Sequence, residues 1–355
     1  MGKTEKLTLR ECIFGDKNFY RHVLAVVLPI IVQNTLTNVV SLLDNVMVGQ
    51  VGTLSMSGVA IVGQLIFVYN LAIWGSTSGA GLFGAQYFGS GDMEGVRHTF
   101  RFKLLVASII TVGGMLLFGF AGKSLIGAYI AADTAPADAA ATLGYAWQYL
   151  CIMLVGLVPF ALTQCYAGTL RESGQTVLPM KASMIAMVVN FVFNALLIFG
   201  LGPFPRLGVA GAAIATVLSR FVELGIVVVG AHRSTDRYPF LQGVYRSFAI
   251  PRTLVKSIFI RSMPLLANEM MWGSGQAVLL QCYSARGIQA VAALNICNTI
   301  SQIFNEVFLS LGNATAIVVG QELGADRMQG ARRTAWRMLS LSVMRCVVMG
   351  SLLRL

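Results

Sequence analysis

Charge is scarce in this sequence. Asp, Glu, Lys and Arg make up 12% of the 355 residues, against 56% hydrophobic residues and a mean hydropathy of +0.71. That balance excludes an ordinary soluble globule and points to a polytopic membrane protein. Cysteine is sparse too. Cys12, Cys151, Cys165, Cys282, Cys297 and Cys346 lie mostly inside apolar segments with no CxxC or CxxH spacing, which excludes a disulfide framework and a zinc site and leaves small packing residues. The three histidines, His22, His98 and His232, fall near expected cytoplasmic helix ends and read as interfacial groups, not as metal ligands or proton relays. No cleaved leader is expected: the first 18 residues are polar, and the apolar stretch after them is too long for a signal-peptide core.

What is present is a series of apolar runs. About 18 such residues suffice to cross the hydrocarbon layer, and nine segments qualify, at roughly 22–48, 55–85, 100–122, 139–168, 180–200, 207–231, 254–283, 288–319 and 334–355. The net charge of +11 is topological. Of 26 Lys and Arg, 20 lie in the N-terminal tail and the loops after segments 2, 4, 6 and 8. The other side holds Lys123, Arg206, Arg286 and Arg354, while Arg220 and Arg345 lie within helices. This asymmetry places the N-terminus and the even-numbered loops in the cytoplasm of a cell membrane and argues against a nucleic-acid partner.

The chain repeats itself. QYFGSGDMEGVRHT (86–99) and QELGADRMQGARRT (321–334) share six of fourteen positions without a gap, at an offset of 235. The same offset pairs Pro29 with Pro264, Gly52 with Gly287, Ile61 with Ile296 and Asn70 with Asn305. The stretch at 84–97 resembles a phosphate loop at first sight, but it lacks a GK[ST] ending and is flanked by membrane segments, so it reads as a connector between helices 2 and 3. Helices 1, 2 and the start of 3 thus recur as 7, 8 and the start of 9. An even number of crossings separates the copies, which is the parallel kind of transporter repeat. The expected fold is an all-α polytopic membrane protein. Residues 1–18 form a cytoplasmic tail, 19–231 a six-helix N-terminal lobe, 232–253 a cytoplasmic linker, and 254–355 the first three helices of a C-terminal lobe. A second copy as long as the first would run on past Leu355 to twelve helices, so a C-terminally incomplete product is expected.

Six stretches, LPIIVQNTLTNVVSLLDNVMVGQVG (28–52), GAQYFGSGD (84–92), AGTLRESGQTVLPM (167–180), NFVFNALLIFGLGPFPRLGVAGAAIAT (190–216), MPLLANEMMWGSG (263–275) and GQELGA (320–325), resemble the multidrug and toxic compound extrusion (MATE) transporters. The resemblance implies two six-helix lobes, a central cavity open alternately to either face, and export of amphiphilic solutes against inward flow of Na⁺ or H⁺. No other cofactor is expected, and the full-length protein is expected to be a monomer.

Ion-coupled export needs an ionisable group in the membrane, where a carboxylate costs roughly 2.5–3.5 kcal/mol on insertion scales. On helix 1, Gln33, Thr37, Ser41 and Asp44 follow at steps of four, four and three, a polar stripe that should face the lobe interior. Asp44 is the first candidate for coupling; the alternative is a carboxylate reaching for headgroups near the helix end. The resemblance favours coupling, since the family places an essential Asp in helix 1. Asn190 and Asn194 share a face of helix 5, and Thr216 lies on helix 6. One branch of the family joins an Asn-x-x-x-Asp pair and a Thr at such positions to the helix 1 Asp around a cation. Here the second member is Asn194, one carboxylate fewer, and interhelical hydrogen bonding is an equal alternative for all three.

Glu269, with Trp272 and Gln276 on its face of helix 7, and Glu306, beside Asn298 and Gln302 on helix 8, are cavity and substrate candidates. The alternative for Glu269 is a structural acid at the cytoplasmic helix end, and that for Glu306 is a pairing with a residue of the missing half. Arg220 and Glu223, three apart on helix 6, are expected to form an intrahelical ion pair that makes both charges cheap in the membrane. A lipid-linked oligosaccharide flippase is the alternative within transporters, and it would need more intramembrane cations than Arg220 and Arg345 to hold a pyrophosphate. A membrane-embedded enzyme lacks any paired-Asp, His-rich or nucleophile motif, and a receptor would not explain the duplication.

Overall fold

The computed structural model describes residues 15–130, 135–236, 238–284 and 288–352. Within these, the side chains at 41, 42, 45, 266, 269, 270, 276, 277, 280, 281, 283, 284, 288–304, 306, 348–350 and 352 lie outside the description. Nine α-helices run through the described residues: α1 Lys17–Gly49, α2 Thr53–Ser90, α3 Met93–Tyr129, α4 Pro136–Glu172, α5 Val177–Phe199, α6 Val209–Arg233, α7 Arg252–Ser284, α8 Ile288–Gly324 and α9 Met328–Leu352. α1 to α6 and α8 contain stretches long and apolar enough to cross a membrane. α9, expected to cross as well, falls short of that measure in its described residues. Arg332, Arg333, Arg337 and Arg345 dilute it; α7, also expected to cross, has no run of 18 described residues over which the measure applies.

Short polar signals set the helix ends. Gly91 stops α2 in the left-handed conformation (φ 77°), which a side chain would resist, and its N–H returns to Phe88 O. Asp92 then opens α3: its Oδ1 accepts from the backbone N–H groups of Glu94 at 3.1 Å and Gly95 at 2.9 Å. The connector expected at 84–97 is therefore a stop signal followed directly by a start signal. Pro136 begins α4, where a missing N–H costs nothing. On the α6–α7 connection, Arg101 of α3 donates to the carbonyls of Val244 at 2.8 Å and Gly243 at 3.1 Å, and Arg97 to that of Phe240 at 3.3 Å. Basic residues counted above as topology markers thus also hold the connection down.

The largest buried cluster joins α2 to α6, with Val62, Ile73, Phe100, Leu150, Leu170 and Ile198 at its centre. A second cluster packs Val23, Val26, Val27 and Ile30 of α1 against Leu311, Ala314 and Ile317 of α8 and Met338 of α9. The two copies of the repeat meet where α2 crosses α8. A Cβ on Gly89 would overlap the carbonyl oxygen of Gln321 and lie 2.7 Å from its Cα, and a Cβ on Gly324 would overlap the carbonyl of Gln86 and lie 2.8 Å from its Cα. Each motif's glycine thus admits the other motif's glutamine backbone. Gln321 Nε2 also donates to the Glu172 carbonyl at 2.7 Å, at the end of α4. The Glu172 carboxylate lies against the bare backbone of Gly81 and Gly84 and takes both ends of its charge from Lys103 Nζ, at 2.6 and 2.5 Å, with Lys103 1% exposed. A lysine this buried is tolerable only because it is paired and hydrogen-bonded.

Candidate functional site

One carboxylate is buried where α1, α5 and α6 converge. Asp44, 8% exposed, lies five residues before the end of α1. Asn194 Nδ2 donates to Asp44 Oδ1, and Thr216 Oγ1 donates to Oδ2 at 3.1 Å. Asn194 Nδ2 also donates to Asn190 Oδ1 at 3.0 Å, and Asn190 Nδ2 to Thr216 Oγ1 at 3.3 Å. The i, i+4 step between the asparagines turns both amides to one side of α5, which is how two helices deliver three polar groups to one acid. Both asparagines are fully buried. Among the described residues, Arg220 and Tyr149 are further polar side chains that act on this cluster.

The four residues expected at a cation site are therefore in mutual contact. Asn194 Oδ1 is buried and receives no hydrogen bond among the described residues. An acceptor in that state is costly unless a donor or a cation meets it. The donors here, a carboxylate, two amides and a hydroxyl, are hard oxygens of the kind that hold Na⁺, and the same carboxylate accepts a proton.

The polar stripe on α1 divides. Gln33 is buried 7% exposed, but at a separate level, where its Nε2 donates to Ser183 Oγ of α5 at 3.1 Å. Thr37, expected to face the interior with its neighbours, is exposed. Its hydroxyl donates to the Gln33 carbonyl at 3.1 Å one turn back, so its own helix already supplies an acceptor. Trp272 on α7 is 51% exposed. The side chains of Ser41, Glu269, Gln276, Asn298, Gln302 and Glu306 lie outside the described residues. Arg220 and Glu223 do not form the expected ion pair. Arg220 places its guanidinium 4.6 Å from the centre of the Phe160 ring on α4, and Glu223 takes the Ser183 hydroxyl at 2.5 Å. The partners on α4 and α5 outcompete the local i, i+3 contact. Ser183 and Tyr149 were missed by sequence reading, since a single serine or tyrosine in an apolar helix carries no spacing signal.

A duplicated bundle of membrane-crossing helices with one acid buried among amides and a hydroxyl defines a multi-pass transporter. The particular family follows from comparison with known proteins. The MatE family model matches residues 29–196 and 264–354, and the chain belongs to that family of multidrug efflux transporters. A relative named "Probable multidrug resistance protein NorM" from Bacillus licheniformis is 25% identical over 336 residues, 91% of this chain and 70% of the relative. A relative named "FAD transporter" from Shewanella oneidensis is 25% identical over 296 residues, and the chain spans 63% of its length. Among solved structures, "Crystal structure of MATE in the straight conformation" superimposes with a TM-score of 0.82 at 20% identity, covering 98% of this chain and 75% of that one. The fold is also that of "Outward-facing conformation of a multidrug resistance MATE family transporter of the MOP superfamily", with a TM-score of 0.80 at 20% identity and cover of 98% and 74%.

Proposed function

We propose that the protein is a secondary antiporter of the cytoplasmic membrane, with its N-terminus in the cytoplasm, exporting amphiphilic drugs or metabolites in exchange for Na⁺ or H⁺. The observation that carries this reading is the Asp44 cluster: a buried carboxylate held by Asn194 and Thr216, with Asn194 Oδ1 receiving no hydrogen bond among the described residues. The naming of relatives as multidrug resistance proteins supports an amphiphilic substrate. Arrival of the ion neutralises Asp44 and draws in Asn194 Oδ1, so α1, α5 and α6 tighten around it. Its departure restores an uncompensated charge, which prefers the arrangement that admits water. The ion thereby biases the inward/outward equilibrium by its differential affinity for the two states. The two halves rock about the α2–α8 crossing, and the protein works as a monomer.

The test is accumulation of a fluorescent cationic amphiphile in everted vesicles. An imposed Na⁺ or pH gradient is expected to raise accumulation at least several-fold over vesicles with no gradient. Equal accumulation with and without both gradients would contradict ion coupling.

A further inference from the structure

A second carboxylate lies in the same bundle, and the Asp44 cluster does not use it. Glu223 stands seven residues after Thr216 on α6, about 10 Å along the helix axis. Two other helices serve it at that level: Ser183 of α5 donates to Glu223 Oε1 at 2.5 Å, and Gln33 of α1 donates to Ser183 Oγ at 3.1 Å. Gln33 and Ser183 are each 7% exposed. The three helices around Asp44 thus build a second polar tier: Gln33 below Asp44 on α1, Ser183 below Asn190 on α5, and Glu223 beyond Thr216 on α6.

The charges facing Glu223 are Arg220 on its own helix and Arg171 on α4. Neither closes an ion pair with it. Arg220 is drawn over Phe160, with its Nε buried and without an acceptor among the described residues, and Arg171 Nε donates to the Ala167 carbonyl at 3.2 Å. Two guanidinium groups repel a metal cation, and one carboxylate with one hydroxyl is a poor donor set for it. A proton suits the place, because it becomes part of the carboxyl. A neutral Glu223 can then donate to Ser183 Oγ, and the hydroxyl turns its own hydrogen elsewhere, so the contact survives in both states. A contact ion pair would have fixed the acid in its ionised form, and none is made.

We propose that Glu223 is a proton-binding carboxyl in its own right, separate from Asp44. Its use in transport rests on the exchange proposed above; its binding of a proton does not. Infrared difference spectra of the purified chain on acidification test it without any gradient. Wild type is expected to gain a carboxylic-acid carbonyl band that Glu223→Gln lacks. Ser183→Ala moves that band, since its frequency reports the hydrogen bond, and Asp44→Asn keeps it. Coincident wild-type and Glu223→Gln spectra, over the pH range in which both remain helical, overturn the proposal. Should Glu223→Gln not fold, a Ser183→Ala spectrum identical to wild type overturns it equally. A failure of Asp44→Asn to alter transport bears on the exchange reading alone and leaves the band in place.

Discussion

Asp44→Asn stops ion-driven efflux and leaves the protein folded in its membrane. The substitution is nearly isosteric, and its carbonyl oxygen still accepts from Asn194 or Thr216, so the helices around it keep part of their hydrogen bonding. What it removes is, among the described residues, the only negative charge in the cluster and with it the group there that takes up a proton or neutralises Na⁺. A charge-assisted contact is worth about 1.5–3 kcal/mol, and each 1.4 kcal/mol is about tenfold in an equilibrium constant. Loss of coupling is therefore expected to lower gradient-driven efflux by about 100-fold, with the amount of protein in the membrane unchanged by immunoblot. Wild-type efflux from Asp44→Asn would remove Asp44 from the mechanism.

A comparably large effect is expected from Gly89→Leu. At this position the neighbour is backbone, the Gln321 carbonyl of α8, and not the flexible end of a side chain, so the crossing has no local way to yield. Overpacking typically costs about 1–3 kcal/mol, and a main-chain overlap belongs at the upper end, which lowers the population of the closed crossing by about 10- to 100-fold. Disulfide formation between Ala85→Cys and Gly320→Cys, in a background without the native cysteines, reads that population. A Cβ on Gly320 would lie 3.0 Å from the Ala85 Cβ, so these positions face each other across the crossing. The cross-link is expected in the parent and lost with Gly89→Leu. Gly63→Leu on the same helix, where a Cβ meets nothing within 4 Å, serves as the control and keeps it. A cross-link that persists in Gly89→Leu would show that the crossing is not a close backbone contact.

The repeat was legible in the sequence because glycines and glutamines kept register over a long interval. Its physical use was not, since register says which residues correspond and not which ones touch. Only the folded chain shows Gly89 against Gln321 and Gly324 against Gln86. Asp44, Asn190, Asn194 and Thr216 could be picked out because polar residues are conspicuous in apolar helices and helical spacing assigns them faces. Their convergence depends on three helix pairings that no local pattern encodes. The expected Arg220–Glu223 pair shows the opposite failure. Spacing correctly made the two neighbours on one face, but Phe160 and Ser183 from other helices took the contacts.

Coupling is reciprocal in binding free energy, and that gives the most direct measurement of the central claim. Purified protein is reconstituted in liposomes with equal pH and equal Na⁺ on both sides, a gradient of a cationic amphiphile is imposed, and ion movement is followed with H⁺- and Na⁺-sensitive dyes. The expected result is movement of one of the two ions opposite to the amphiphile, absent from liposomes carrying Asp44→Asn. Amphiphile flux through the wild type with neither ion moving would contradict the account.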